Sequence, residues 1–61
     1  MSDADFAALV LRATNTAGET ACIAAMLGVS RSSVDRWRRG LNLPHPAVRP
    51  RFARLLREIA P

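Results

Sequence analysis

LGVSRSSVDRWRRG, residues 27–40, is the stretch on which the fold of this chain turns. An apolar run ends at Leu27, and Gly28 stands where a helix leaves in the left-handed conformation. Val29 is an apolar plug, and the hydroxyl of Ser30 suits the start of a new helix. The segment therefore reads as helix end, three-residue corner, helix start. Two helices joined by a turn of that length containing glycine make a helix-turn-helix unit. The second helix carries Val34 and Trp37 as anchors and crowds Arg31, Arg36, Arg38 and Arg39 around them. Like charges at helical spacing repel by roughly 0.2–0.5 kcal/mol per pair. Either an anionic partner neutralises these arginines, or they form a solvated face.

Working outward, helix two is expected over residues 18–27, with Thr20, Ile23, Ala24 and Leu27 on its inner face. Ala24 is small enough for the next helix to cross close above it. Helix three is expected over residues 31–39, closed by Gly40. Helix one, residues 3–13, starts after Ser2 and places Asp3 and Asp5 at the positive end of its dipole. Phe6, Leu9, Val10 and Ala13 recur at helical spacing along it. Residues 14–18, TNTAG, read as a turn cluster. Pro44 and Pro46 bar a helix from the connector at Leu41 to His45. Helix four, residues 47–59, carries Val48, Phe52, Leu55, Leu56 and Ile59. Pro50 then falls in its first turn, where a missing amide costs little. No strand-like alternation, repeat or low-complexity tract interrupts the pattern. The expected fold is all-α, a compact bundle of about four short helices forming one domain over residues 1–61.

Composition narrows the function. A chain of 61 residues buries only about 60% of the surface its unfolded form exposes, so its margin of stability is small. Cys22 is the one cysteine and His45 the one histidine, which rules out a disulfide framework and makes a metal constellation implausible. No apolar run reaches the roughly 18 residues that a membrane span needs. A lone thiol fits a reducing compartment, and acids stand near the N-terminus where a secretory leader carries positive charge, so the expected location is cytoplasmic. Residues 1–30 hold one arginine against three acids, whereas residues 31–61 hold eight arginines against two. That asymmetry calls for an anionic partner at the second half.

IAAMLGVSRSSVDRWRRG, residues 23–40, resembles the bipartite motif of the Cro and lambda-repressor type helix-turn-helix regulators. Ile23, Ala24, Leu27, Gly28, Val29, Ser30, Val34, Trp37 and Gly40 occupy its characteristic places, and the likeness continues through Pro44, Pro46, Val48, Phe52, Ala53, Leu55 and Leu56. It covers about residues 18–57. The resemblance implies a lambda-repressor-like DNA-binding domain acting as a sequence-specific transcriptional regulator, in the first instance a repressor. It would bind double-stranded DNA as a homodimer on an inverted repeat, with helix three in the major groove. By position, Arg31, Ser32 and Arg36 match the base-reading residues; the arginine fork can take both acceptors of a guanine edge. Ser33, Arg38, Arg39, Asn42, Arg49 and Arg51 are candidates for the phosphate backbone, contacts that position without specifying.

The sequence departs from the family where a glutamate often follows the position of Trp37. Arg38 stands there instead and needs a partner: Glu19, an N-terminal aspartate or a phosphate. Asp35 either accepts from a cytosine amino group or, the favoured reading, holds Arg31 or Arg39. His45 is either a phosphate donor or a helix cap. A homodimer is expected to meet through Phe52, Leu56 and Ile59 or through helix two, whose outward side shows Ala21 and Ala25 flanked by Cys22 and Met26. Those helix-two residues either form a partner patch or pack under helix one or four.

Two other classes compete. An enzyme is not expected, because the acids do not pair on one face, Cys22 has no base in sequence context and no Gly-rich phosphate loop is present. No small-molecule substrate, cofactor or metal is called for, and a membrane-seeking role is disfavoured because three patterned helices beside helix four would serve no purpose in a surface peptide. The stronger rival is a protein-interaction role, an antitoxin-like adaptor that retains the fold, and the apolar outer side of helix two motivates it.

Overall fold

The course of the chain is set by how its helices end. In the computed structural model, which describes residues 1–61, the elements are α1 (Asp3–Ala17), α2 (Thr20–Leu27), α3 (Arg31–Arg38), a 3-10 turn (Pro46–Val48) and α4 (Arg49–Ile59), with no strands. Gly28 takes φ 72°, and the N–H groups of Gly28 and Val29 donate back to the carbonyls of Ala25 and Ala24 at 3.4 and 3.0 Å. Gly40 takes φ 78° and repeats the pattern: its N–H reaches the Trp37 carbonyl at 2.9 Å, and that of Leu41 reaches Arg36 at 2.8 Å. Such endings need a left-handed residue, where an L side chain costs roughly 1–2 kcal/mol. Ser30 then opens α3, its Oγ accepting from the Ser33 N–H at 3.1 Å. The all-α architecture is thus built from corners that the chain's glycines and serines specify locally.

Some boundaries differ from expectation. Helix α1 continues to Ala17 rather than stopping at Ala13. Thr14 and Thr16 donate their hydroxyls to the carbonyls of Val10 and Arg12 at 2.7 and 2.9 Å, so both side chains are satisfied without leaving the helix. Ala17 packs against the core, and Gly18 ends α1 by donating to Thr14 at 2.9 Å, which delays α2 to Thr20. Arg39 leaves helical geometry one residue early. The 3-10 turn precedes α4, with His45 Nδ1 accepting from the Ala47 N–H at 3.0 Å, so His45 is a cap. Pro50 lies in the first turn of α4, as expected.

Phe6, Leu9, Val10 and Ala13 of α1 bury against Ile23, Ala24 and Leu27 of α2, Val34 and Trp37 of α3, and Ala53, Leu56 and Ala60 at α4. Trp37 is the hub. Its ring lies 5.9 Å from Phe6 edge-on and 5.5 Å from Phe52, and its Nε1 donates to the Asn42 carbonyl at 2.9 Å. Aromatic pairs in such arrangements add about 0.5–1.5 kcal/mol beyond the area they bury.

Helix α4 departs most from the sequence expectation. Its buried stripe is Arg49, Ala53, Leu56 and Ala60, while Val48 is exposed and Phe52, Leu55 and Ile59 lie at the flanks. Arg49 turns the helix this way. Its guanidinium donates to the Pro44 carbonyl at 2.9 Å and to Asp3 at 2.6 Å, and it lies over the Phe6 ring at 5.9 Å. The small Ala53 and Ala60 let α4 lie close on α1, and Arg12 reaches from α1 to the Ala60 carbonyl at 3.2 Å, satisfying the C-terminal end of α4. The assignment of Arg49 to the phosphate backbone is therefore corrected: its donors face inward. Leu56 is fully buried within the chain, which removes it from the expected dimer interface. No helix is long and apolar enough to cross a membrane.

Two stability outcomes follow. Trp37→Ala removes the hub at about 3–5 kcal/mol, against a total of roughly 3–9 kcal/mol for a chain this size at 0.05–0.15 per residue; circular dichroism should find it largely unfolded at 37 °C. Arg49→Ala loses two tertiary hydrogen bonds, costs about 1–3 kcal/mol and lowers the melting midpoint by roughly 4–8 °C per kcal/mol, whereas Arg51→Ala, exposed, stays within about 0.5 kcal/mol. Equal melting of the two variants would contradict the inward role of Arg49.

Candidate nucleic-acid interface

At about 100° per residue, burial of Val34 and Trp37 sends Ser32, Arg36 and Arg39 to the opposite side, with Asp35 and, in the first turn, Arg31 flanking them. The structure brings these five together with Thr20, from the first turn of α2, around an open cleft of about 410 Å³ that has no hydrophobic lining residue. The three-residue corner makes the cleft: it folds the start of α2 beside the outer face of α3. The helical spacing places Thr20 on the inner face of helix two, whereas the structure sets it at the cleft. Thr20 is the first residue of α2, half-buried at the end of that helix remote from the corner, a placement that no local sequence signal marks.

The arginines of this face fall into two groups. Arg38 donates through Nε and Nη2 to Asp35 Oδ1 at 3.0 and 2.7 Å, and Arg39 Nη2 lies 3.3 Å from Oδ2. Arg39 Nε also donates to the Asp35 carbonyl at 3.4 Å. Of the partners expected for Arg38, none is the protein partner used; Asp35, one helical turn back, takes that place. Asp35 was expected to hold Arg31 or Arg39, and it holds Arg39 together with Arg38. The other group, Arg31 and Arg36, makes no ion pair. Arg31 is exposed. Arg36 is half-buried; its Nη2 reaches Ser33 Oγ at 3.5 Å, and its Nε is shielded from water with no acceptor. Within the chain the Arg36 guanidinium thus has a single long hydrogen bond and no carboxylate partner.

The Asp35 carboxyl is held below the usual carboxylate range, first by the hydrogen bond from Arg38 and then by the charges of Arg38, Arg39 and Arg31, which outweigh its loss of hydration. Its pairing is therefore fully present above the unfolded-chain pKa and lost as pH falls through the lower folded value.

The remaining candidates lie elsewhere. Ser33 belongs to the start of α3, its Oγ 2.9 Å from that of Ser30. Asn42 is exposed at φ 47° and uses its backbone carbonyl to hold Trp37. Arg51 is exposed on α4, beside Ala47, Pro50, Arg54 and Leu55 in a separate depression. On α2, Ala21, Cys22, Ala25 and Met26 are all exposed, so they do not pack under a neighbouring helix, and the whole eight-residue helix carries no charge. No three His, Cys, Asp or Glu side chains gather into a group that could hold a metal ion.

Chemically, the cleft offers guanidinium and hydroxyl donors around one carboxylate acceptor. That set suits hydrogen bonding to an anionic, acceptor-rich surface such as phosphates and base edges. No family model, curated protein or solved structure matches this chain.

The ionic clamp has a measurable signature. The Asp35 carboxyl-carbon NMR shift should titrate at lower pH in the folded chain than in the urea-unfolded chain; coincident titrations would mean that the arginines do not hold it.

Proposed function

We propose that the chain is a sequence-specific double-stranded DNA-binding transcriptional regulator, in the first instance a cytoplasmic repressor, that lays α3 into the major groove. The observation that supports this best is the pair of carboxylate-free arginines, Arg31 and Arg36, flanking Ser32 on the outward stripe of α3, where a groove-bound helix meets base edges. Arg31, Ser32 and Arg36 read bases. Arg51 and the amide of Asn42 serve the phosphate backbone, and Ser33, Arg38 and Arg39 contribute there only after leaving the partners that now engage them. Thr20 joins them at the cleft's edge. The role involves no catalysis, cofactor or metal.

One module of this size buries little DNA surface and binds weakly by itself. Two copies on half-sites about 10 base pairs apart remedy this. With Leu56 inside the fold, the uncharged outer side of α2 is the preferred meeting surface, since α3 and α4 both present arginines that would repel a second copy. The same α2 surface favours a second reading, an antitoxin-like adaptor that uses it to hold another protein. Salt dependence separates the two: phosphate neutralisation gives a log–log slope of about −0.9 per contact, and a slope near zero points to the protein partner.

Random-site selection at physiological salt should enrich a guanine-containing inverted repeat; no enriched motif would refute specific binding. On the selected site, Arg31→Ala or Arg36→Ala should cost roughly 1–3 kcal/mol and relax preference at one base position. Arg51→Ala should weaken all duplexes alike and reduce the salt slope by about one. The reverse pattern would move base reading from α3 to α4.

A further inference from the structure

Asp35 is the only acid on the outward stripe of α3, and it lines the same cleft as Arg31, Ser32, Arg36 and Arg39. It is not a bystander to the arginines: it draws in the Arg38 guanidinium by two donors and the Arg39 guanidinium by one, at 2.7 to 3.3 Å. A helix whose only task was to cling to phosphate would gain by losing this carboxylate. Non-specific binding comes from sequence-independent neutralisation of phosphates, so each arginine released to the surface adds to affinity for every duplex equally. Each arginine that leaves Asp35 for a phosphate strips the carboxylate of one of its two partners, and if both leave, a bare carboxylate faces a polyanion. The penalty applies on any DNA, whereas base-edge bonds from Arg31 and Arg36 exist only on the right one.

We propose that Asp35 is a specificity-determining residue of this interface, which withholds Arg38 and Arg39 from non-specific phosphate and so leaves discrimination to Arg31 and Arg36. The proposal rests on the DNA-binding reading above. It differs from a merely structural role, in which pairs spaced three and four residues apart would steady an eight-residue helix and nothing else. The hydrogen bond from Arg38 and the neighbouring arginine charges make the Asp35 carboxyl more acidic than an ordinary carboxyl, so the device stays charged across neutral pH.

The test compares the whole chain with Asp35→Asn, which keeps size and a hydrogen-bond acceptor but removes the charge. Binding is read by fluorescence anisotropy on a duplex carrying the selected site and on the same duplex with that site scrambled, over a salt series. Asp35→Asn should raise affinity for the scrambled duplex roughly five- to tenfold at low salt, steepen its salt slope by about one to two, and raise selected-site affinity less, so that the ratio between the two falls. Adding Arg39→Ala to Asp35→Asn should take back part of the gain. Circular dichroism checks that each variant is folded, and Asp35→Ser replaces Asp35→Asn if the amide disturbs the helix. An unchanged ratio and slope, with wild-type discrimination intact, overturns the role of Asp35 alone. A wild-type chain that does not distinguish the two duplexes overturns both this role and the DNA-reading function.

Discussion

Everything in this small fold depends on the seating of Trp37. The indole packs against both of the other aromatic rings, and its Nε1 donates to the Asn42 carbonyl. One residue thereby ties α1, α3 and α4 to the loop after α3. A buried indole needs a partner for its N–H, and the loop supplies it by placing Asn42 in a left-handed conformation. Because Trp37 points inward, the residues at the opposite helical positions must point outward. The polar stripe of α3 is the geometric complement of the core, and disturbing one disturbs the other.

The second constraint is charge. Nine arginines in 61 residues must be placed without crowding. Arg49 goes inside, held by Asp3, the Pro44 carbonyl and the Phe6 ring, and Arg12 satisfies the end of α4. Arg38 and Arg39 share Asp35. A positive total alone therefore overstates the free positive surface. On α3 the partition leaves Arg31 and Arg36 as the guanidiniums not claimed by a carboxylate, and this division, more than the number of arginines, shapes the proposed interface.

Local signals carried much of this. Gly28, Ser30 and Gly40 act within their own turns, so the corner, the opening of α3 and its close were legible from spacing alone. So were Phe6, Leu9, Val10 and Ala13, because a helix with one apolar stripe has one way to bury it. The outward stripe of α3 followed from the same periodicity. The Asp35–Arg38 pair is legible by the same reasoning, since residues three apart on a helix are neighbours.

What the sequence by itself determined is the set of helices, their corners and the division of α3 into buried and outward sides, because these depend on interactions spanning a few residues. Tertiary structure decided the rest. The TNTAG stretch is turn-like in isolation, yet α1 holds through it because Ala17 finds the core and the threonine hydroxyls find carbonyls a turn back. The roll of α4, the burial of Leu56 and the inward fate of Arg49 rest on contacts across up to 48 positions in sequence. Periodicity cannot rank two competing faces of an arginine-rich helix when the choice is made by a carboxylate and a carbonyl that only folding brings near.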